Sequence, residues 1–405
     1  MQNATNSFNE LRNYIESTEF LGWDPFDGLN SKFFYRFSFL KKNPTARLIW
    51  LQSFKRNPVN LRKVTGISKG YNSKGLGLLL TGYCNLYKIE KKPECIKYIK
   101  LLADKLLELK STGYSGNCWG YNFDWQAKAF YQPKGTPSVV VTTFVGNALL
   151  NAYECTNDNK YLESAITIKD FILKDLNRTY DKEGNFSFSY STVDSTQVFN
   201  ASLLGAQMLS RICSYTLEPE LINEARKAVC FAVNYQKDDG SWTYGTLPHH
   251  QWIDNFHTGY NLECIADYMR FSHDNSFQPV LDKGFRYYIE TFFCTNGMSK
   301  YYSNKIYPID VHNPAQLLVT LFKLNKFDEY KDIAELTLNW TIKNMQSPKG
   351  YFFYKKYSLF TNKIPYLRWT QAWMFYGMSY FFLYKKKCEN EKTKIASILF
   401  SSSTS

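Results

Sequence analysis

The stretch IDNFHTGYNLECIADYM, residues 253–269, has counterparts at a near-constant distance along the chain. STQVFNASLLGAQMLSRI (195–212) and TPSVVVTTFVGNALLNAYE (136–154) precede it; IDVHNPAQLLVTLFKL (309–324) and YLRWTQAWMFYGMSYFF (366–382) follow. With Thr143, Asn200, His257, His312 and Trp369 as equivalent points, the separations are 57, 57, 55 and 57 residues. A fixed period of that size signifies stacked supersecondary units. GYNSKGLGLLLTGYCNLYKI (70–89) is an earlier member.

A second set lies between these segments: ECIKYIKLLADKLLEL (94–109), KYLESAITIKDFILKDL (160–176), LINEARKAVCFAVNYQ (221–236), FQPVLDKGFRYYIETFF (277–293) and YKDIAELTLNWTIKNMQ (330–346). Their apolar residues recur at i, i+3 and i+4, with Lys, Glu and Asp opposite, the pattern of helices with one wet face. The first set is apolar or small on more than one face and predicts buried helices. Turn signals such as KDDGSW, DKEGNF and SPKGYFF close each outer helix, because glycine supplies the positive φ that a helix end needs. Alternating inner and outer helices predict an all-α (α/α)6 toroid over residues 15–384, with Phe33 to Phe54 as the sixth outer helix, 1–14 as an arm and 385–405 as a disordered tail.

Aromatic residues make up 18% of the 405 residues, and the formal charge is +13. The excess of Lys and Arg favours an anionic partner. Nine scattered cysteines without a CxxC pair argue against a disulfide framework and a zinc site. The N-terminus lacks the basic and apolar regions of a signal peptide, and no run of about 18 apolar residues is present. The chain therefore reads as cytoplasmic. GxGxxG, Walker A, GxSxG and HExxH sequences are all absent, so neither nucleotide chemistry nor a metal or other cofactor is expected.

In a toroid, the loops that lead into the inner helices converge on one mouth. Those loops hold the candidate catalytic groups Asp124, Asp254, His257, Asp310 and His312. Candidate binding groups are Trp119, Tyr121 and Trp125 of CWGYNFDWQ, Trp242 and Tyr244 of QKDDGSWTYG, His250, Asn255 and Tyr260 of HHQWIDNFHTGY, and Arg368, Trp369 and Gln371 of RWTQAW. Flat rings stack on sugar faces, arginine grips a carboxylate bidentately, and acids and imidazoles move protons. Asp254 and Asp310 also stand where helix N-caps are expected, and each histidine alone could be a packed core residue.

The segments GWDPFDGLNS, NFDWQAKAF, HQWIDNFHTGYNLE, IDVHNPAQ and RWTQAWMFY resemble those of VpsJ-type polysaccharide-biosynthesis proteins. More distantly the chain is similar to six-hairpin glycosidases, unsaturated-glucuronyl hydrolases and N-acylglucosamine 2-epimerases. QKDDGSWTYG is similar to the QxxDGSW repeat of triterpene cyclases, but occurs once and without a DxDD motif. The resemblance implies sugar handling in capsule or exopolysaccharide assembly. The expected ligand is an anionic saccharide or lipid-linked glycan, met at the periphery of membrane-bound machinery, with no nucleic acid.

Three chemistries follow from these residues. A hydrolase would use Asp124 and Asp254 as acid and base. In an epimerase or lyase, His257 and His312 would exchange the proton beside a carboxylate held by Arg368. A non-catalytic glycan-binding protein or an isoprenoid-handling one are the alternatives.

Overall fold

The structure is a computed structural model that describes residues 2–128 and 130–402. After α1 (Gln2–Ser17), three short helices, α2 (Lys32–Tyr35), α3 (Ser38–Lys42) and α4 (Pro44–Arg56), precede the repeating part. Then come α5 (Ser73–Glu90), α6 (Pro93–Glu108), α7 (Val139–Thr156), α8 (Asn159–Ile166), α9 (Ile168–Asp170), α10 (Phe199–Thr216), α11 (Pro219–Val233) and α12 (Asn255–Ser272). α13 (Gln278–Phe292), α14 (His312–Lys323), α15 (Lys331–Met345) and α16 (Trp373–Ser402) complete the chain.

Helices α5, α7, α10, α12, α14 and α16 each pack on the next, and α16 returns to α5. They form the closed inner ring of an (α/α)6 toroid, as the 57-residue period predicts. Their starts are fixed by side chains of the expected kind: Asn72, Ser138 and Asp254 accept backbone N–H bonds from Gly75, Val141 and His257, satisfying donors that a helix start leaves open. Glycine allows the inner helices to approach closely. A Cβ on Gly377 of α16 would come within 2.6 Å of the Ala315 carbonyl of α14.

Two expectations about the ends are corrected. The sixth outer helix is α1, not Phe33 to Phe54. Phe8, Leu11 and Ile15 of α1 are buried, and Phe8 stacks on Phe375 of α16 at 5.0 Å. These residues carry the i, i+3, i+7 apolar spacing that an arm would lack. Phe33 to Phe54 instead belongs to a cap of short helices over the mouth of the ring. Trp23 donates to the Ile67 carbonyl at 3.0 Å, and Arg62 pairs with the buried Asp27 at 2.7 Å, which fixes the two ends of the cap together. At the other terminus α16 continues through 385–402, where disorder was expected. Tyr384 donates to Asp328 at 2.7 Å and Lys385 pairs with Glu335 at 2.5 Å, so the start of that tail is held against the outer ring; residues 403–405 lie outside the described ones.

Short antiparallel pairs lie in the loops between helices: β1 (Trp125–Gln126) with β2 (Tyr131–Gln132), β3 (Arg178–Tyr180) with β4 (Phe186–Phe188), and a three-stranded sheet of β5 (Ile309–Asp310), β6 (Lys355–Lys356) and β7 (Thr361–Asn362). The hairpin β1–β2 tethers the cap. Tyr35 donates to Asp124, and Arg47 donates to Gln126 at 2.8 Å while lying over the Tyr131 ring.

Candidate active site at the mouth of the ring

A cavity of about 580 Å³ opens where the inner helices begin. Asn200, His257, His312 and Trp369, four of the five repeat-equivalent residues, line it. Thr143 does not: it lies a turn deeper in α7, where its hydroxyl bonds the Val140 carbonyl at 3.3 Å, and Val140 takes its place on the wall.

His257 is oriented by its own helix cap. Asp254 accepts the His257 backbone N–H at 3.0 Å, the Trp252 indole N–H at 2.9 Å and contacts His257 Nδ1 at 2.7 Å. A carboxylate at Nδ1 favours the tautomer with the proton on that nitrogen and leaves Nε2 as an acceptor. His312 is fixed by stacking instead, between Phe256 at 4.4 Å and Trp373 at 4.0 Å. Its Nε2 lies 3.1 Å from the Tyr260 hydroxyl, and its buried Nδ1 has no partner among the described residues. Burial, reinforced by Lys74 and His257, pushes the His312 pKa well below its ordinary value, so the ring is neutral. Burial raises Tyr260 well above an ordinary tyrosine, so its hydroxyl keeps its proton.

Lys74, on the first turn of α5, is nine-tenths buried or more and reaches the Tyr260 hydroxyl at 3.4 Å, with the Phe144 ring 4.2 Å away. Lys55 and Arg56 of the cap and Lys128 also line the cavity. Among the described residues none of these four cations is in an ion pair, and Asp254 is the one carboxylate on the wall. Burial, then repulsion from Lys355, pulls the Lys55 pKa down to about 7.

Of the other residues named from the sequence, Tyr121, Trp125, Tyr244, His250, Tyr260 and Arg368 line the cavity. Tyr244 stacks on Trp252 at 4.5 Å, and burial and His249 lower His250 to about 4. Arg368, expected to grip an anion, already holds Asp24 through two bonds of 2.5 and 2.8 Å. Its charge is therefore compensated within the protein.

Six named residues do not reach the cavity. Asp124 accepts from Tyr35 and from the Lys134 backbone at 2.7 Å. Asp310, wholly buried, receives the Trp369 indole at 3.0 Å and Lys355 at 3.1 Å and caps His312. Trp119 and Trp242 turn outward and donate to the Leu106 and Ala232 carbonyls at 2.7 and 3.0 Å. Asn255 accepts from Tyr288 at 3.2 Å, and Gln371 brackets the Phe352 backbone with two bonds of 2.8 Å. Loop position is legible in a sequence, whereas the direction of a side chain within an irregular loop is not.

The residues missed were chiefly Lys55, Lys74 and Trp252. Lys74 left a readable signal, a lone cation in the apolar, small-residue run SKGLGLLLTG, since an unpaired amine is seldom buried without a purpose.

No family model matches the chain, and no curated protein matches it in sequence. Solved structures do match its fold. A cellobiose 2-epimerase from Bacillus thermoamylovorans aligns with a TM-score of 0.62 at 13% identity, covering 78% of this chain and 88% of that one. A GH76 alpha-mannanase from Bacteroides thetaiotaomicron aligns at 0.60 and 13%, covering 80% and 90%. An unsaturated glucuronyl hydrolase specific for heparin aligns at 0.59 and 12%, covering 96% and 97%. At these identities the likeness establishes the six-hairpin toroid and no more. No helix among the described residues is long and apolar enough to cross a membrane.

Proposed function

We propose that the chain is a carbohydrate-active enzyme that moves a proton on carbon, an epimerase or lyase for an acidic saccharide or lipid-linked glycan. The observation that carries this reading is the pair of histidines at repeat-equivalent positions opening on one aromatic cavity, with His257 held by Asp254 as a base. Glycoside hydrolysis of the usual kind needs two carboxylates across the scissile bond. The wall offers one, Asp254, and its oxygens are engaged by His257 and Trp252.

In this reading His257 Nε2 takes the proton from the carbon beside a carboxylate or carbonyl. The Tyr260 hydroxyl, backed by His312 at 3.1 Å, delivers a proton from the other side. The anionic group of the sugar pairs with Lys55 and Lys74, two of the four cavity cations that lack a carboxylate among the described residues, and not with Arg368. Rings such as Trp125 and Tyr244 hold the pyranose faces. Resemblance to VpsJ-type proteins and the excess of basic residues support a place in polysaccharide assembly at the periphery of a membrane, on its cytoplasmic side.

The test is incubation with glucuronic, galacturonic and mannuronic oligosaccharides in D2O, followed by NMR and mass spectrometry. Deuterium on a ring carbon, as an epimerase leaves it, or cleavage that leaves a carbon–carbon double bond in the terminal sugar, as a lyase leaves it, in either case lost in His257→Ala, is the expected result. Cleavage that adds water, with neither label nor a new carbon–carbon double bond, would overturn the reading in favour of a hydrolase. Binding with neither label nor cleavage across the panel would overturn it in favour of a glycan-binding protein.

A further inference from the structure

From Gly28 to Ile89 the chain contains no aspartate or glutamate, while Lys32 to Lys63 alone holds nine Lys and Arg. Four of the nine are accounted for: Arg62 pairs with Asp27, Arg47 bonds Gln126, and Lys55 and Arg56 face the cavity. Lys32, Arg36, Lys41, Lys42 and Lys63 are exposed, and among the described residues none is in an ion pair.

The same segment exposes large apolar side chains. Phe33, Phe37 and Phe39 form a ladder with centroid spacings of 5.5 and 6.2 Å that begins on Trp50. Phe39 is 68% exposed, Ile49 and Val59 are each 62% exposed and Val64 is 82% exposed. The β6–β7 hairpin joins them: Asn362 donates to the Asn57 carbonyl at 3.1 Å, and the hairpin tip carries Leu359, 94% exposed, and Phe360.

Exposed aromatic and aliphatic tips among unpaired cations are the composition of an interfacial membrane surface, where rings sit at the headgroup level and basic side chains meet anionic lipid. A second copy of the chain fits poorly, because the same cations would face one another. A nucleic acid or polyanionic glycan would satisfy the lysines but give the aliphatic tips no contact.

We infer that the cap is a docking surface for an anionic membrane, placing the mouth of the cavity at the lipid headgroups. This extends the membrane-peripheral placement proposed above, yet it rests on cap residues and needs no turnover. Loss of vesicle binding would leave deuterium uptake into soluble sugars intact, and an inert cavity would leave vesicle binding intact.

The experiment is co-sedimentation of the full chain with vesicles of phosphatidylcholine alone and of phosphatidylcholine mixed with phosphatidylglycerol. We expect binding to the mixed vesicles alone, weakened by salt. The double variants Phe39→Ser/Leu359→Ser and Arg36→Glu/Lys42→Glu should each weaken it about tenfold or more, with unfolding temperature unchanged because all four side chains are exposed. Failure to sediment with mixed vesicles would overturn the inference. So would binding that resists Phe39→Ser/Leu359→Ser but is displaced by heparin, which marks a simple polyanion site.

Discussion

The two ends of the inner ring treat buried charge in opposite ways. Toward the C-terminal ends of the inner helices the buried acids and the cations beside them are paired. Lys323 meets Asp267 at 2.9 Å and Glu263 at 3.6 Å, Gln207 links Asp267 to Asn147, and Arg211 meets Glu154 at 2.8 Å and Asn151 at 2.7 Å. Burial works against the Asp267 carboxylate, but Lys323 and Arg270 outweigh it and bring its pKa below the ordinary value. At the mouth, Lys55 and Lys74 are left without a carboxylate. Desolvation is offset by ion pairs at the closed end, whereas at the mouth it lowers the pKa of Lys55 and Lys74, and amines so perturbed in a cleft are candidates for holding an anion that arrives from outside.

The comparison can be broken in several ways. The largest effect is expected at the mouth and on activity alone: His257→Ala should lower turnover by about a thousandfold while the thermal midpoint stays near that of the parent. At the closed end the effect should fall on stability. Asp267→Ala leaves Lys323 without its nearest partner, and because Lys323 keeps 21% side-chain exposure the loss should be about 3 kcal/mol, the low end for a broken buried pair; urea unfolding measures it. Lys74→Met sharpens the contrast, because removing an unpaired amine should leave stability equal or higher while weakening an acidic oligosaccharide about tenfold or more by calorimetry.

The smallest effect concerns pH. Anion binding favours the protonated amine, and Lys55, its pKa lowered to about 7, loses its proton as pH rises through that value. Affinity for an acidic sugar should therefore be full below about pH 6 and fall by no more than about tenfold per unit above about pH 7. Lys55→Arg, which stays charged, should flatten that slope. A slope unchanged in Lys55→Arg would assign the titration to another group.

The contrast also explains what could be read in advance. The inner helices were legible because a helix buried all round must be apolar or small on every face, and 18-residue units such as α10 and α12 repeat that demand at one spacing. The same period places His257 and His312 on one cavity. α1 was missed because its first turns, QNATNS, are polar and its large apolar side chains begin only at Phe8. The cap escaped because Phe33 to Phe54 has helical composition, and nothing local distinguishes an outer helix from one laid across the mouth. Asp124 and Asp310 were assigned to catalysis from their loops, whereas Tyr35 and Trp369, remote in sequence, decide where they point.

The closure of the ring has a consequence for the order of folding. Adjacent inner helices meet across some 57 residues of chain, but the joint between α16 and α5 links Asn85 to Ser379 at 3.0 Å, 294 residues apart. Contacts so distant form late, since the intervening loop must be closed before they return any stabilisation. Lys74 stands on one side of that seam and Trp369 on the other. During synthesis the cavity cannot exist until the last inner helix has left the ribosome, so a nascent chain carries the histidines and the cations long before it has a place to use them.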